Sequence, residues 1–175
     1  MKLRLVTLVG LVVAAAVSRL LPHPPNFAPI MAIALFGGAY FSRRSSLIIP
    51  LAAMFLSDLL IGFHDQMALV YLSFVLVVLM GWTLAENRTV SRVAGRAVAG
   101  SLLFFVMSNF GVWLAGTIYS RDLSGLLSCY VAAIPFFQTQ LLGDALYTLT
   151  LFGGFALMEK WVRSVRLASC SLPRI

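Results

Sequence analysis

Residues 97–118 read AVAGSLLFFVMSNFGVWLAGTI, without one charged side chain. As a helix this run would be about 33 Å long, against a bilayer hydrocarbon core of about 30 Å. A backbone in that medium must satisfy its own polar groups, which a helix does internally. The rest of the chain supports the same solvent. Of its 175 residues 61% are hydrophobic and 11% are charged. An ordinary soluble domain is roughly 45–50% apolar and about 25% charged. A soluble fold of this composition would lack the polar surface to cover itself, so the chain reads as an all-α membrane protein. Its length suits a single transmembrane domain over residues 1–175.

Outward from 97–118, further spans are expected at about 3–21, 27–41, 46–63, 67–84 and 140–161, six in all. The first is read as a span and not a signal peptide, because its apolar run continues past Ala14-Ala15-Ala16 to Leu21. The second is short. Asn26 is its expected N-cap, with Pro29 in the first turn. Such a helix either tilts little or starts below the membrane surface, inside the protein. Between 119 and 137, Leu123 to Ile134 is too short to span and Pro135 interrupts it. This stretch is therefore expected to be a re-entrant or interfacial element on the outer side.

The net charge is +7. The basic residues fall in short gaps between apolar runs, which points to topology and away from nucleic acid. With both termini inside, Lys2, Arg4, Arg43, Arg44, Arg88, Arg92, Arg96, Lys160, Arg163, Arg166 and Arg174 are all cytoplasmic. Only Arg19 and Arg121 then fall outside. The two cysteines, Cys129 and Cys170, lie on opposite sides in this topology, so no disulfide is expected.

Charged groups within a membrane are costly and mark functional sites. Counted from the expected span ends, Arg19, Asp58, Asn109 and Asp144 share the outer part of the membrane, with Asn26 and Gln140 at the same boundary. These six residues are the candidate substrate-binding set, in a pocket open to the outside. The second helix would aim its N-terminal N–H groups into it. The competing reading is an Arg–Asp structural pair with Asn109 bonding between helices. Gly10, Ala14 and Ser18 form a small-residue stripe, suited to docking a partner helix or to packing within the bundle. Arg88, Arg92 and Arg96 would share one basic face toward anionic lipid headgroups if their segment is helical. His23, His64, Asp58, Asp144 and Cys129 lack the spacing of a metal-ligand motif, and no metal or cofactor is expected. No nucleophile elbow, zinc-protease helix or phosphate loop is present, so an enzyme is not expected. Leu35-Phe36-Gly37-Gly38 recurs as Leu151-Phe152-Gly153-Gly154, a hint of an internal repeat.

Several segments carry a resemblance: His23-Pro24-Pro25-Asn26-Phe27-Ala28-Pro29, the first Leu-Phe-Gly-Gly, Ser57-Asp58, Ser108-Asn109-Phe110-Gly111-Val112-Trp113, residues 129–137 and Gly143-Asp144. Together they resemble an uncharacterised family of small bacterial multi-pass membrane proteins. More distantly, size and topology are similar to the substrate-binding S components of energy-coupling-factor (ECF) transporters. That resemblance implies an outward pocket for a vitamin or metal, and an energising module docked on a small-residue stripe of the first helix. The expected function is thus a substrate-binding subunit for solute uptake in the bacterial inner membrane. The alternative is a non-transporting scaffold like the small membrane proteins of cell-wall elongation.

Overall fold

The computed structural model describes residues 2–63, 66–116 and 118–170, with side chains over 4–164. His64 lies outside the described residues, as does the side chain of Cys170. All described secondary structure is helical: α1 (Lys2–Ser18), α2 (Ile30–Tyr40), α3 (Arg43–Ile61), α4 (Met67–Trp82), α5 (Val90–Ala115), α6 (Leu123–Thr148) and α7 (Gly154–Cys170). A π-helical turn at Leu149–Gly153 joins α6 to α7 without a break. Three helical stretches are long and apolar enough to cross a membrane: Arg43–Ile61, Val90–Ala115 and the continuous Leu123–Ser164. The apolar parts of α1, α2 and α4 are shorter.

The short second helix is the centre of the bundle. Its sequence, IMAIALFGGAY, is apolar on every side, the pattern of a helix enclosed by others. Every residue from Met31 to Ala39 is buried. It packs against α1, α3, α4, α5 and α6. Of the two expected placements, the structure has the helix beginning inside the protein. Asn26 does not cap it. Asn26 is exposed at φ 61°, a left-handed turn position that asparagine tolerates. Pro29 precedes the first helical residue instead.

Helix α2 approaches α4 closely at two glycines. A Cβ added to Gly38 would strike the Val78 carbonyl oxygen, and one added to Gly81 would lie 2.8 Å from the Gly38 Cα. Only hydrogen at both positions lets the backbones approach this closely.

Basic residues gather at one end of the bundle. Arg43 lies over the Trp82 ring and Arg88 over the Tyr40 ring. Tyr40 meets Phe155, which Arg4 covers, and Arg4 pairs with Glu159 at 3.0 Å. The opposite end holds the α5–α6 turn. There Gly116, at φ 65°, terminates α5, and Asp122 caps α6 through the Gly125 N–H. That N–H, with the Ser120 hydroxyl, holds the Asp122 carboxyl below its ordinary range.

The expected re-entrant element is not found. Leu123 onward is helical, and Pro135 sits inside the helix. This part runs antiparallel to α5: the Cys129 thiol donates to the Asn109 carbonyl, Tyr130 Oη donates to Val106 O at 2.7 Å, and Phe105 meets Phe137. One proline removes one helical hydrogen bond, a loss that a partner helix helps a membrane helix to tolerate. Cys129 is buried against α5, not held at an accessible outer surface.

Candidate functional site

The six candidate residues do not converge on one outer pocket. Four of them fall into two clusters at different depths, Arg19 with Asp58 and Gln140 with Asp144, while Asn26 and Asn109 join neither. Asp58 is three residues before the end of α3, far from the basic end. Asp144 lies well along α6, level with Ser101 of α5 and toward the basic end. A last span starting at Gln140 would set it near the outer end, but the helix begins at Leu123, which carries it deeper.

The first cluster is a closed network. Arg19 Nη2 donates to Asp58 Oδ1 at 2.7 Å, and Tyr71 Oη donates to Asp58 Oδ2 at 2.8 Å. Arg19 Nη1 also donates to Ser57 Oγ and to the Met54 carbonyl. The side chains of Arg19 and Asp58 are only 11% and 3% exposed. Both carboxylate oxygens are occupied, so the arrangement is the structural Arg–Asp pair that sequence offered as the alternative. It joins the end of α1 to α3 and α4.

The second cluster is open. Ser101 Oγ donates to Asp144 Oδ2 at 2.6 Å. Gln140 Nε2 donates to the Ser101 carbonyl at 2.8 Å and reaches the same Oδ2 at 3.4 Å. Oδ1 accepts neither bond. Among the described residues no cation lies within ion-pair distance of Asp144. One turn further, Thr148 Oγ1 is buried without a hydrogen-bond partner. Asp144, Ser101 and Thr148 line a cavity of about 430 Å³ between α5 and the α6–π–α7 rod. Its other walls are mostly apolar: Val93, Ala97, Leu149 and Phe152 among them, with Tyr40 and Arg88 at the basic end. The π turn supplies Leu149, Phe152 and Gly153 to this wall. Such widened turns often occur at functional sites.

Asn109 lies apart from the cavity; its amide donates back to the Phe105 carbonyl at 2.8 Å within α5. The N-terminus of α2 also points elsewhere, since from this helix only its last residue, Tyr40, reaches the cavity. On α1, Leu8, Val12, Ala15 and Ala16 face the core, while Gly10 and Ala14 are exposed. Nothing lies within 4 Å of a Cβ added at Gly10. The stripe therefore faces outward except at Ser18, whose hydroxyl contacts Tyr147 Oη at 3.0 Å. Arg88 precedes α5, with Thr89 as cap, so it shares no helix face with Arg92 and Arg96. It donates to the Ala39 carbonyl through Nε and Nη2. Among the described residues no three His, Cys, Asp or Glu side chains cluster as a metal site would require.

Sequence reasoning missed Ser101, Thr148, Tyr40 and Arg88 as cavity residues. A helical projection of 123–153 would have placed Asp144 and Thr148 on one face, four residues apart.

Fold and cavity define a helical protein of the membrane class with a side cavity between its two longest helices. The chain belongs to a family of unknown function (DUF6580), which it matches over residues 1–166. No protein of curated function matches it, and no solved structure does.

Proposed function

We propose that the chain is a membrane-embedded binding subunit for a small, largely apolar solute, held in the cavity between α5 and the α6–α7 rod. The observation that carries this reading is the cavity itself. Its volume of about 430 Å³ lies within the size range of small-molecule sites, and apolar walls with few polar groups are their usual composition. The proposed setting is the bacterial inner membrane, with six crossings and both termini cytoplasmic. In that topology the cavity lies in the cytoplasmic half of the bundle, between Asp144 and the basic end. The outward stripe of Gly10 and Ala14 supports docking of a partner helix, such as that of an energising transport module. The same open face also suits the scaffold alternative, which needs no ligand.

Native mass spectrometry of the protein purified in mild detergent tests the reading. A retained small molecule is expected on the wild type. Ala97→Trp, which fills the cavity, should lose it while remaining monodisperse. Retention on both proteins would place the ligand elsewhere. No ligand on either, with co-purifying cell-wall proteins, would favour the scaffold.

A further inference from the structure

We infer that the cavity recognises an amphipathic amine, with its ammonium group held at Asp144 and its apolar body toward Leu149 and Phe152. This rests on the proposed cavity reading and adds the chemical class of the ligand. Three observations lead to it. Asp144 is 3% exposed, lines the cavity, and has no cation within ion-pair distance among the described residues. Thr148, 7% exposed, lines the same wall, and its closed-off hydroxyl has no hydrogen-bond partner among the described residues. The two are one helical turn apart, where side chains on a helix come within about 5–6 Å of each other.

Ser101 and Gln140 hold the carboxyl by Oδ2 and leave Oδ1 for a ligand. An ammonium nitrogen carries several donors. Placed at Oδ1, it meets the carboxylate at an ordinary charge-assisted distance of about 2.7–2.9 Å, one helical turn from Thr148. It also supplies the positive charge that a carboxylate in apolar surroundings lacks. A neutral alcohol fills the hydrogen bonds but not the charge. A carboxylate adds a second negative charge.

Arg88 is the only basic side chain on the described cavity wall. It does not take the ammonium's place. Its Nε and Nη2 are engaged by the Ala39 carbonyl, its guanidinium lies over the Tyr40 ring, and it precedes the first residue of α5. From that first residue to Ser101 the helix rises about 17 Å. Arg88 thus guards the basic end of the cavity while Asp144 marks the other.

A matched series tests the class on the whole protein in detergent: 4-phenylbutylamine, 4-phenylbutanol and 4-phenylbutyrate, measured by equilibrium dialysis against protein-free micelles. The amine should bind at least tenfold more tightly than the alcohol, and the carboxylate should bind least. Asp144→Asn should bring the amine down to the alcohol's affinity and leave the alcohol unchanged. The wild-type series decides the matter even if that variant does not fold. Equal binding of amine and alcohol, or preference for the carboxylate, overturns the amine inference and leaves the cavity as a site. If none of the three binds, and Ala97→Trp behaves as wild type, both readings fail.

Discussion

At the level of single residues, the two buried aspartates have opposite roles. Asp58 is fully occupied by Arg19 and Tyr71, and its value is structural. Removing one partner of a buried ion pair leaves the other charge without compensation, which typically costs about 3–5 kcal/mol. Arg19→Ala should therefore lower the unfolding temperature in detergent substantially. The double variant Arg19→Ala/Asp58→Asn should recover much of that loss, because the stranded charge is gone. If the single and double variants unfold alike, the pair is not what joins α1 to α3. Both acids were legible in the sequence as charges that lipid would penalise. The Arg19–Asp58 pair was legible as the competing reading; Tyr71 and Ser101 were not, and the depth of Asp144 follows from a helix that begins at Leu123, not from a span start at Gln140. Tyr71 and Ser101 are ordinary residues of apolar spans. Only the fold brings them within reach of a carboxyl.

At the level of elements, the most instructive comparison is between the two Leu-Phe-Gly-Gly segments. The first lies in α2 and makes the close crossing with α4. The second straddles the π turn, and a Cβ at Gly153 or Gly154 meets nothing within 4 Å. The first pair of glycines thus serves close packing, whereas in the second segment Phe152 and Gly153 line the cavity and Leu151 stays in the core. Gly38→Ala should cost at least about 1–3 kcal/mol, the range for overpacking a filled interior, since the atoms it would strike are backbone. Gly153→Ala, with open space for its Cβ, should not destabilise and should gain up to about 1 kcal/mol from the lower backbone entropy of alanine within a helix. Thermal unfolding of the two variants side by side measures the difference; equal effects would mean the α2–α4 crossing can spread at no cost. Apolar runs located the helices well, including the enclosed α2. They failed at 119–137, where proline and a short apolar count suggested a stop. A helix partnered along its length needs neither an uninterrupted apolar run nor a proline-free one, and α5 supplies that partner. The π turn left no sequence signal beyond two adjacent glycines.

At the level of the whole molecule, charge is distributed along one axis. Arg4, Arg43 and Arg88 are tied into one end by their stacking on Phe155, Trp82 and Tyr40. Arg96 joins them through Thr83. The other end keeps Arg121, which donates to the Ala115 carbonyl, and Arg19 is paired with Asp58. Lys and Arg close to span ends resist translocation, so the end that carries most of them is expected to stay in the cytoplasm. Antiparallel pairing of α5 with α6 then returns the chain to that side. Reporter fusions after Arg44 and Arg92 should read cytoplasmic, and fusions after Gly62 and Ser120 should read external. Arg92, in the first turn of α5, and Ser120, just beyond its end, carry the most weight: α5 is long enough to cross, and the two sites must report opposite sides if it does. An external signal at Arg92 would reverse the orientation and move the cavity to the outer leaflet. The same compartment at both sites would mean that α5 does not cross, and the hairpin with α6 would then have to lie on one side of the bilayer.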